Sequence, residues 1–368
     1  MPIAARPFLD YPLENPFPGI PALERKLGRP IISRLSGNEA VPLYPEKWLR
    51  TYREEFLTKC REYPDPSAFE LRQALARLNK VELDELLVDA GADSLIHLVL
   101  RTFANTADSV LCCAGTYPTF EYFARGLGLQ IREVAYSGRD TGLRADLPAL
   151  LAAAWDIRPR VLYLANPDNP TGHYLDQASI AAFANALPSE TLLLLDEAYV
   201  DFASAGPEAN QLLNNTIRLR SFSKGYGLAG MRIGYALAPA DLLSYAQQAR
   251  VHYSVSGIAQ WLAIQALEDD DHAASLREET LRLRSRFVKE AEAAKLAFIP
   301  SATNFICLPM PGPETASRLQ WALLELGVSV SKPDAINGQS LIRVTLQSDL
   351  FVPQIARLVF VATPLVLP

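Results

Sequence analysis

Residues 221–235 read SFSKGYGLAGMRIGY and concentrate more chemistry than any other stretch of the chain. Lys224 stands between hydroxyls and a glycine-rich turn, with Arg232 eight positions further on. An amine in that setting can condense with an aldehyde, while Ser221, Ser223 and Arg232 offer hydrogen bonds and positive charge to a phosphate. The arrangement suits an aldehyde cofactor that carries a phosphate. Two simpler readings compete. Gly225, Gly227 and Gly230 spell the G-x-G-x-x-G dinucleotide pattern, which requires a preceding strand and a helix opening at its end. The residues that follow, MRIGYALA, carry strand formers and an internal glycine, so they predict a strand and the pattern fails. A surface lysine in a loop is the ordinary fate of this residue type, so other parts of the chain must decide.

Five further groups fall where loops would follow strands. Gly91-Ala92-Asp93 would open a helix whose free N–H groups and dipole favour a phosphate, although by itself it is a capped helix. Thr116-Tyr117-Pro118 follows VLCC, and Tyr117 is either a stacking ring or a core aromatic. Asn166-Pro167-Asp168-Asn169-Pro170-Thr171-Gly172 follows VLYLA and makes at least a turn. Asp196 ends a run of leucines and precedes Glu197-Ala198-Tyr199; a carboxylate there caps a turn or faces a ligand. Arg343, within LIRVT, is a cation in an apolar strand, which is costly unless a structural carboxylate or a substrate anion pairs with it.

These loops need a scaffold that gathers them. Apolar runs predict strands over 86–89, 110–113, 131–135, 161–165, 192–195, 217–222 and 233–238. Helical spacing predicts helices over 46–60, 67–79, 94–103, 120–127 and 177–186. That alternation argues for a mostly parallel sheet covered by helices on both faces, with ligands outside the carboxyl ends of the strands. After the acidic run 268–271 the pattern changes to a long charged amphipathic helix over 272–295 and short strands near 305–308, 329–330 and 341–346. The expected division is an arm over 1–45, a large domain over 46–268 and a smaller α+β domain over 269–368 that recruits the arm. Eight prolines in the first 42 residues predict an extended surface arm.

Composition narrows the class. With 368 residues, 49% hydrophobic and 21% charged, the chain is expected to be a globular enzyme of two domains. A net charge of -6 without a Lys/Arg cluster argues against nucleic acid, and no apolar run is long enough to span a membrane. The four cysteines and four histidines show no metal-ligand spacing; Cys112 and Cys113 are expected in the core, His97 in a packing role, and the compartment to be the reducing cytoplasm.

The ordered set G-A-D, T-Y-P, N-P-x-N-P-T-G, D-E-A-Y, S-x-S-K-x-x-G-L-A-G-x-R and a late arginine resembles the class I/II pyridoxal 5'-phosphate (PLP) aminotransferases of fold type I over nearly the whole chain. It is most similar to the histidinol-phosphate aminotransferase branch, which Leu35-Ser36-Gly37-Asn38-Glu39, Tyr63-Pro64 and Asn304 also resemble. The resemblance implies that Lys224 carries the cofactor, that Asp196 partners its pyridine nitrogen, and that Tyr199 and Asn169 partner its ring oxygen. It further implies that Tyr117 stacks on the ring and that Gly91, Ala92, Asp93, Ser221, Ser223 and Arg232 hold the phosphate. Arg343, Asn38 and Asn169 would meet the substrate. Tyr63 would reach the phosphate of the neighbouring subunit in a homodimer. The chain departs from the branch at Ser331, where an arginine for the substrate phosphate is usual, with Lys332 next to it; Ala40-Val41 and His252-Tyr253-Ser254 also differ. The implied activity moves an amino group from an amino acid or amino-alcohol phosphate to a 2-oxo acid, 2-oxoglutarate in relatives. The alternative is decarboxylation, as in the similar threonine-phosphate decarboxylases. A regulatory protein on this fold would carry a DNA-binding segment, and no helix-turn-helix precedes Asn38.

Overall fold

The computed structural model describes residues 16, 19–43, 53–203, 212–349 and 352–362. Its eleven described strands are β1 (Ser33–Leu35), β2 (Leu86–Asp89), β3 (Ser109–Cys113), β4 (Gln130–Val134), β5 (Val161–Ala165), β6 (Leu192–Asp196), β7 (Thr216–Ser221), β8 (Gly234–Leu237), β9 (Phe305–Met310), β10 (Val328–Val330) and β11 (Ser340–Thr345). Seven of them form one sheet in the order β2-β8-β7-β6-β5-β3-β4. All neighbours are parallel except β8, which runs antiparallel to both β7 and β2. Two reversals leave β2 parallel to β7, so the carboxyl ends of β2, β3, β5, β6 and β7 lie along one edge.

The central strands are aliphatic because both of their faces are covered. Their two-residue period assigns each side chain to a core: Leu192 and Leu194 of β6 join one cluster with Val110, Cys112 and Tyr163. Leu193 and Leu195 join the other with Leu111, Cys113 and Leu162. Cys112 and Cys113 therefore point to opposite faces, and both are free thiols in the core. Full burial stabilises each such leucine by about 1.5–3 kcal/mol. At one edge of the sheet, β4 exposes Gln130, Arg132 and Glu133, polar chemistry that discourages further strand pairing.

A separate core gathers Leu35 and Val41 with Leu283, Phe287, Leu308, Leu319, Val330, Ile342 and Ile355. There β1 pairs in parallel with β10, β9 pairs antiparallel with β11, and a Ser331–Arg343 bridge joins the two ribbons. The helix Asp270–Ala293 spans this region and turns Leu276, Leu283 and Phe287 inward.

The start of the chain differs from expectation. Instead of an extended arm, the described part forms a helix, Ile20–Leu27, and then β1. Proline density misleads here because Pro21 occupies the first turn, where its missing N–H costs nothing. Gly28, at φ 68°, ends the helix by donating to Glu24 O at 2.8 Å. The helix expected over 46–60 is described only as Arg53–Arg61; its first part lies outside the described residues. No described helix is long and apolar enough to cross a membrane, and no group of His, Cys, Asp and Glu among the described residues could hold a metal ion.

Candidate active site

The carboxyl edge of the sheet opens into a cavity of about 310 Å³. Asn38, Ala92, Asp93, Tyr117, Asn169, Asp196, Tyr199, Ser221, Ser223, Lys224, Arg232 and Arg343 all line it, although they come from loops spread over three hundred positions. Gly91 lies directly behind: a Cβ on it would sit 3.1 Å from the Arg232 guanidinium, and its φ of 87° favours glycine. Tyr63 is the exception. It does not line this cavity, is 86% exposed, and places its ring 5.0 Å from that of Tyr253.

One end of the cavity is made for an anion. The helix Ala92–Phe103 starts there, and its first N–H groups have no intrahelical partners. Ser221 ends β7, with its hydroxyl accepting from Ser223 N at 3.1 Å, and Ser223 and Lys224 follow in the tight turn. Arg232 reaches in from the other side, its Nη2 3.1 Å from Asp93 Oδ2. Tyr117 donates its hydroxyl to Asp93 Oδ1 at 2.9 Å, which tethers its ring at the cavity wall.

Asp196 lies deep in the cavity at the end of β6. Tyr163 donates its hydroxyl to Asp196 Oδ2 at 2.8 Å, and Ala198 N–H donates to Oδ1 at 3.0 Å. Burial pushes the carboxyl up to about 6, with Asp93 and Glu197 adding to the rise and the two donors opposing it. Tyr163 had no place among the expected site residues. Its signal was a lone hydroxyl in the aliphatic run VLYLA, but only strand pairing puts β5 beside β6 and that hydroxyl on Asp196.

Lys224 donates from Nζ to Gly37 O at 3.0 Å and to Asn38 O at 2.9 Å. Burial pushes its amine down to about 8, Arg343 and Arg232 contribute to the fall, and Glu39 and Asp93 oppose it. The next residue must be glycine on steric grounds, since a Cβ on Gly225 would lie 2.2 Å from Asp201 Oδ2. Tyr199 is buried, accepts from Asn38 Nδ2 at 3.0 Å, and packs edge-on to Phe305. Asn169 accepts from Arg343 Nη1 at 2.6 Å, and Arg343 Nη2 donates to Ser36 O at 3.0 Å. Arg343 Nε is buried without a hydrogen-bond partner among the described residues, while the guanidinium lines the cavity.

Beneath this layer a charged cluster joins β6 to β7. Glu197, next to Asp196, is fully buried and meets Arg218 Nη1 at 2.6 Å and Arg220 Nε at 3.1 Å. Arg218 also donates to Gln177, and Arg220 to Asn79 Oδ1 at 2.8 Å. These contacts pair the buried Glu197 with both guanidiniums and tie the residue after Asp196 to β7.

A phosphorylated pyridine aldehyde fits this donor set: hydroxyls, a guanidinium and a helix start at one end, a hydrogen-bonded carboxylate deep inside, and an amine between them. The volume suits a small cofactor. The family described as aminotransferase class I and II matches residues 34–359. The histidinol-phosphate aminotransferase of Anaeromyxobacter sp. (strain Fw109-5) is 35% identical over 337 residues, covering 89% of this chain and 91% of that protein. The enzyme of the same name from Bacillus subtilis (strain 168) is 34% identical over 289 residues, with 77% and 79% covered. Among solved structures, histidinol-phosphate aminotransferase from Sinorhizobium meliloti in complex with pyridoxal-5'-phosphate aligns with a TM-score of 0.85 at 33% identity, covering 94% of this chain and 98% of that one. The chain therefore belongs to the class I and II aminotransferases and is a PLP-dependent transaminase.

Proposed function

We propose that this transaminase takes its amino group from a donor with a distal phosphate, of the histidinol-phosphate kind, and passes it to a 2-oxo acid such as 2-oxoglutarate. The observation that carries this reading is a second chamber, about 550 Å³, that opens off the first and shares Ser36, Gly37, Glu39, Asn169 and Arg343 with it. Arg34 and Lys332 line the outer chamber. Arg34 is paired with Glu39 at 2.7 Å on the surface, and Lys332 meets the neutral Ser317 hydroxyl at 3.0 Å. Both contacts are exposed and exchangeable, so a phosphate can compete for both cations. Ser331 leaves the wall between them small. A reacting amine near Lys224 would leave the rest of the donor pointing toward these groups.

When bound, the cofactor supplies the electron sink that makes the substrate's α-proton labile. The remaining work falls to the protein. Ala92, Asp93, Ser221, Ser223 and Arg232 would hold the phosphate, with Gly91 giving them room; Tyr117 would cover the ring; Asp196 would keep the pyridine nitrogen protonated. Asn169 and Tyr199 would meet the ring oxygen, Asn38 and Arg343 would orient the donor, and Lys224 Nζ would take the donor's α-proton and deliver it to the cofactor's aldehyde carbon. We place the boundary between a large and a small domain near residue 268, and we expect a cytoplasmic homodimer in which exposed Tyr63 serves the neighbouring site.

The test is a half-reaction. The PLP form is mixed with histidinol phosphate, histidinol, histidine and aromatic amino acids, and conversion to the pyridoxamine form is followed by absorbance. A phosphorylated donor should win by at least tenfold in kcat/KM, the order of one lost charge-assisted pair. Equal rates for histidinol and histidinol phosphate would reject the phosphate, and carbon dioxide release without acceptor would establish decarboxylation instead. For the dimer, mixing Lys224→Ala with a Tyr63 variant should restore activity in hybrids that neither protein has alone.

A further inference from the structure

We infer that the carbonyl groups of Gly37 and Asn38 are a receiving site for the free ε-amine of Lys224, and that Asn38 is the positioning residue that ties this site to the small domain. Two successive peptide carbonyls accept from one Nζ, at 3.0 and 2.9 Å. In an extended segment neighbouring carbonyls point in opposite directions. Asn38 breaks that alternation, because its φ of 51° lies in the left-handed region, which asparagine tolerates better than most residues. The turn brings both oxygens to the same amine.

Every polar group of Asn38 is engaged. Its N–H donates to Thr345 Oγ1 at 3.0 Å, and the same hydroxyl donates back to Asn38 Oδ1 at 3.0 Å. Its Nδ2 donates to the Tyr199 hydroxyl, and its carbonyl also accepts from Asn304 Nδ2 at 3.1 Å. The residue is 1% exposed. Thr345 and Asn304 belong to the small-domain ribbon, while Tyr199 and Lys224 belong to the large sheet. Asn38 is thus where the two bodies meet at the reacting amine, so a shift of the ribbon would move the acceptors of Lys224. Between its covalent roles the amine is held close to the cavity, already oriented, instead of swinging in solvent.

Carbonyl acceptors favour the ammonium form, whereas burial and the charges of Arg343 and Arg232 favour the neutral amine, with Glu39 and Asp93 opposing them. Loss of the acceptors should therefore lower the pH at which the amine becomes free. The consequence for turnover rests on the cofactor reading given above; the consequence for the apoprotein does not.

The experiment labels apoprotein with trace acetic anhydride between pH 6 and 10 and reads Lys224 acetylation by peptide mass spectrometry, with exposed Lys80 as internal reference. Thr345→Val and Asn38→Ala release the turn that aims the two carbonyls, and should move the Lys224 midpoint down by about half a unit or more as one acceptor is displaced from the charged form. Asn38→Gly, which keeps the backbone turn, should restore most of the midpoint. In the loaded enzyme, Thr345→Val should raise the α-deuterium isotope effect on kcat as proton transfer becomes slower. A midpoint unchanged in both Thr345→Val and Asn38→Ala, with only the melting temperature lowered, overturns the inference. Shifted midpoints in a protein that never takes up the cofactor would sustain it while overturning the cofactor reading. If Asn38→Ala does not fold, Thr345→Val alone decides.

Discussion

The inner and outer chambers are built by opposite rules. Around the inner one, Asp196, Tyr117 and Asn169 sit at the end of a buried strand or in the loop after it with fixed partners, Asp196 with Tyr163, Tyr117 with Asp93 and Asn169 with Arg343, although the Asp93–Arg232 pair is open to solvent. Around the outer one, the walls come from a short helix near the start of the chain, the β1 edge and residues 331–334, and the ionic contacts are exposed. On the proposed function, chemistry is anchored in the sheet and recognition is left to segments that can change without disturbing it. On that contrast, inner substitutions should destroy turnover or folding, whereas outer ones should change only which donor is used.

The largest effect is expected at Lys224. On the proposed roles, Lys224→Ala removes the amine that would carry the cofactor and move the proton, and kcat should fall by about four orders of magnitude or more, with loss of the bound cofactor's yellow absorbance. Near-normal turnover would dissolve the inner chamber as a site. Asp196→Asn keeps the shape but loses the charge; a fall of roughly a hundredfold or more in kcat, measured at saturating donor, is expected from a removed preorganised electrostatic partner. Glu197→Ala should act on folding first, because it strands two buried guanidiniums, and should cost about 3–5 kcal/mol by denaturant unfolding. A stable Glu197→Ala protein would show that water already screens the cluster.

The outer chamber should respond more mildly. Arg34→Ala with Lys332→Ala should raise KM for the phosphorylated donor about tenfold or more and leave kcat within about twofold, as expected for binding energy expressed equally in ground and transition states. A kcat loss instead would erase the distinction between the two regions.

The smallest effect around neutrality is that of pH. Burial raises Asp196 from 3.8 to about 6, so the carboxylate is present above that pH and neutral below it. Cofactor uptake by the apoprotein should weaken as pH falls through about 6, approaching about tenfold per unit. The stability term has the other sense. Asp196 and Asp201, both raised to about 6, make the folded state bind protons more tightly than the unfolded chain between 3.8 and 6. Their contribution is full below about 4 and is lost as pH rises to 6. Unfolding free energy that grows with pH over that window in wild type but not in Asp201→Asn would contradict it.

Much of this was legible in the chain before folding. Strand-length apolar runs marked β2, β5 and β6 nearly to the residue, because a strand buried on both faces leaves a continuous aliphatic signature. Lys224, Asp196 and Arg343 stood out for a different reason: each has an ordinary structural reading alone, and only their order along the chain with the other motifs marked them as candidates. The helix Ile20–Leu27 was hidden behind its prolines, and Tyr163 looked like one more core ring.

The amino-acid order alone determined the strand-length apolar runs and put the candidate residues largely in the loops that follow them, since a strand's period of two is local, while the roles expected of those residues came with the family resemblance. Only the tertiary structure decided their partners: Tyr163 on Asp196, two arginines on Glu197, and Asn38 between Lys224, Tyr199 and Thr345. A hydrogen bond depends on ångström distances between segments up to 307 positions apart, and no local pattern encodes the register of strands that have not yet met.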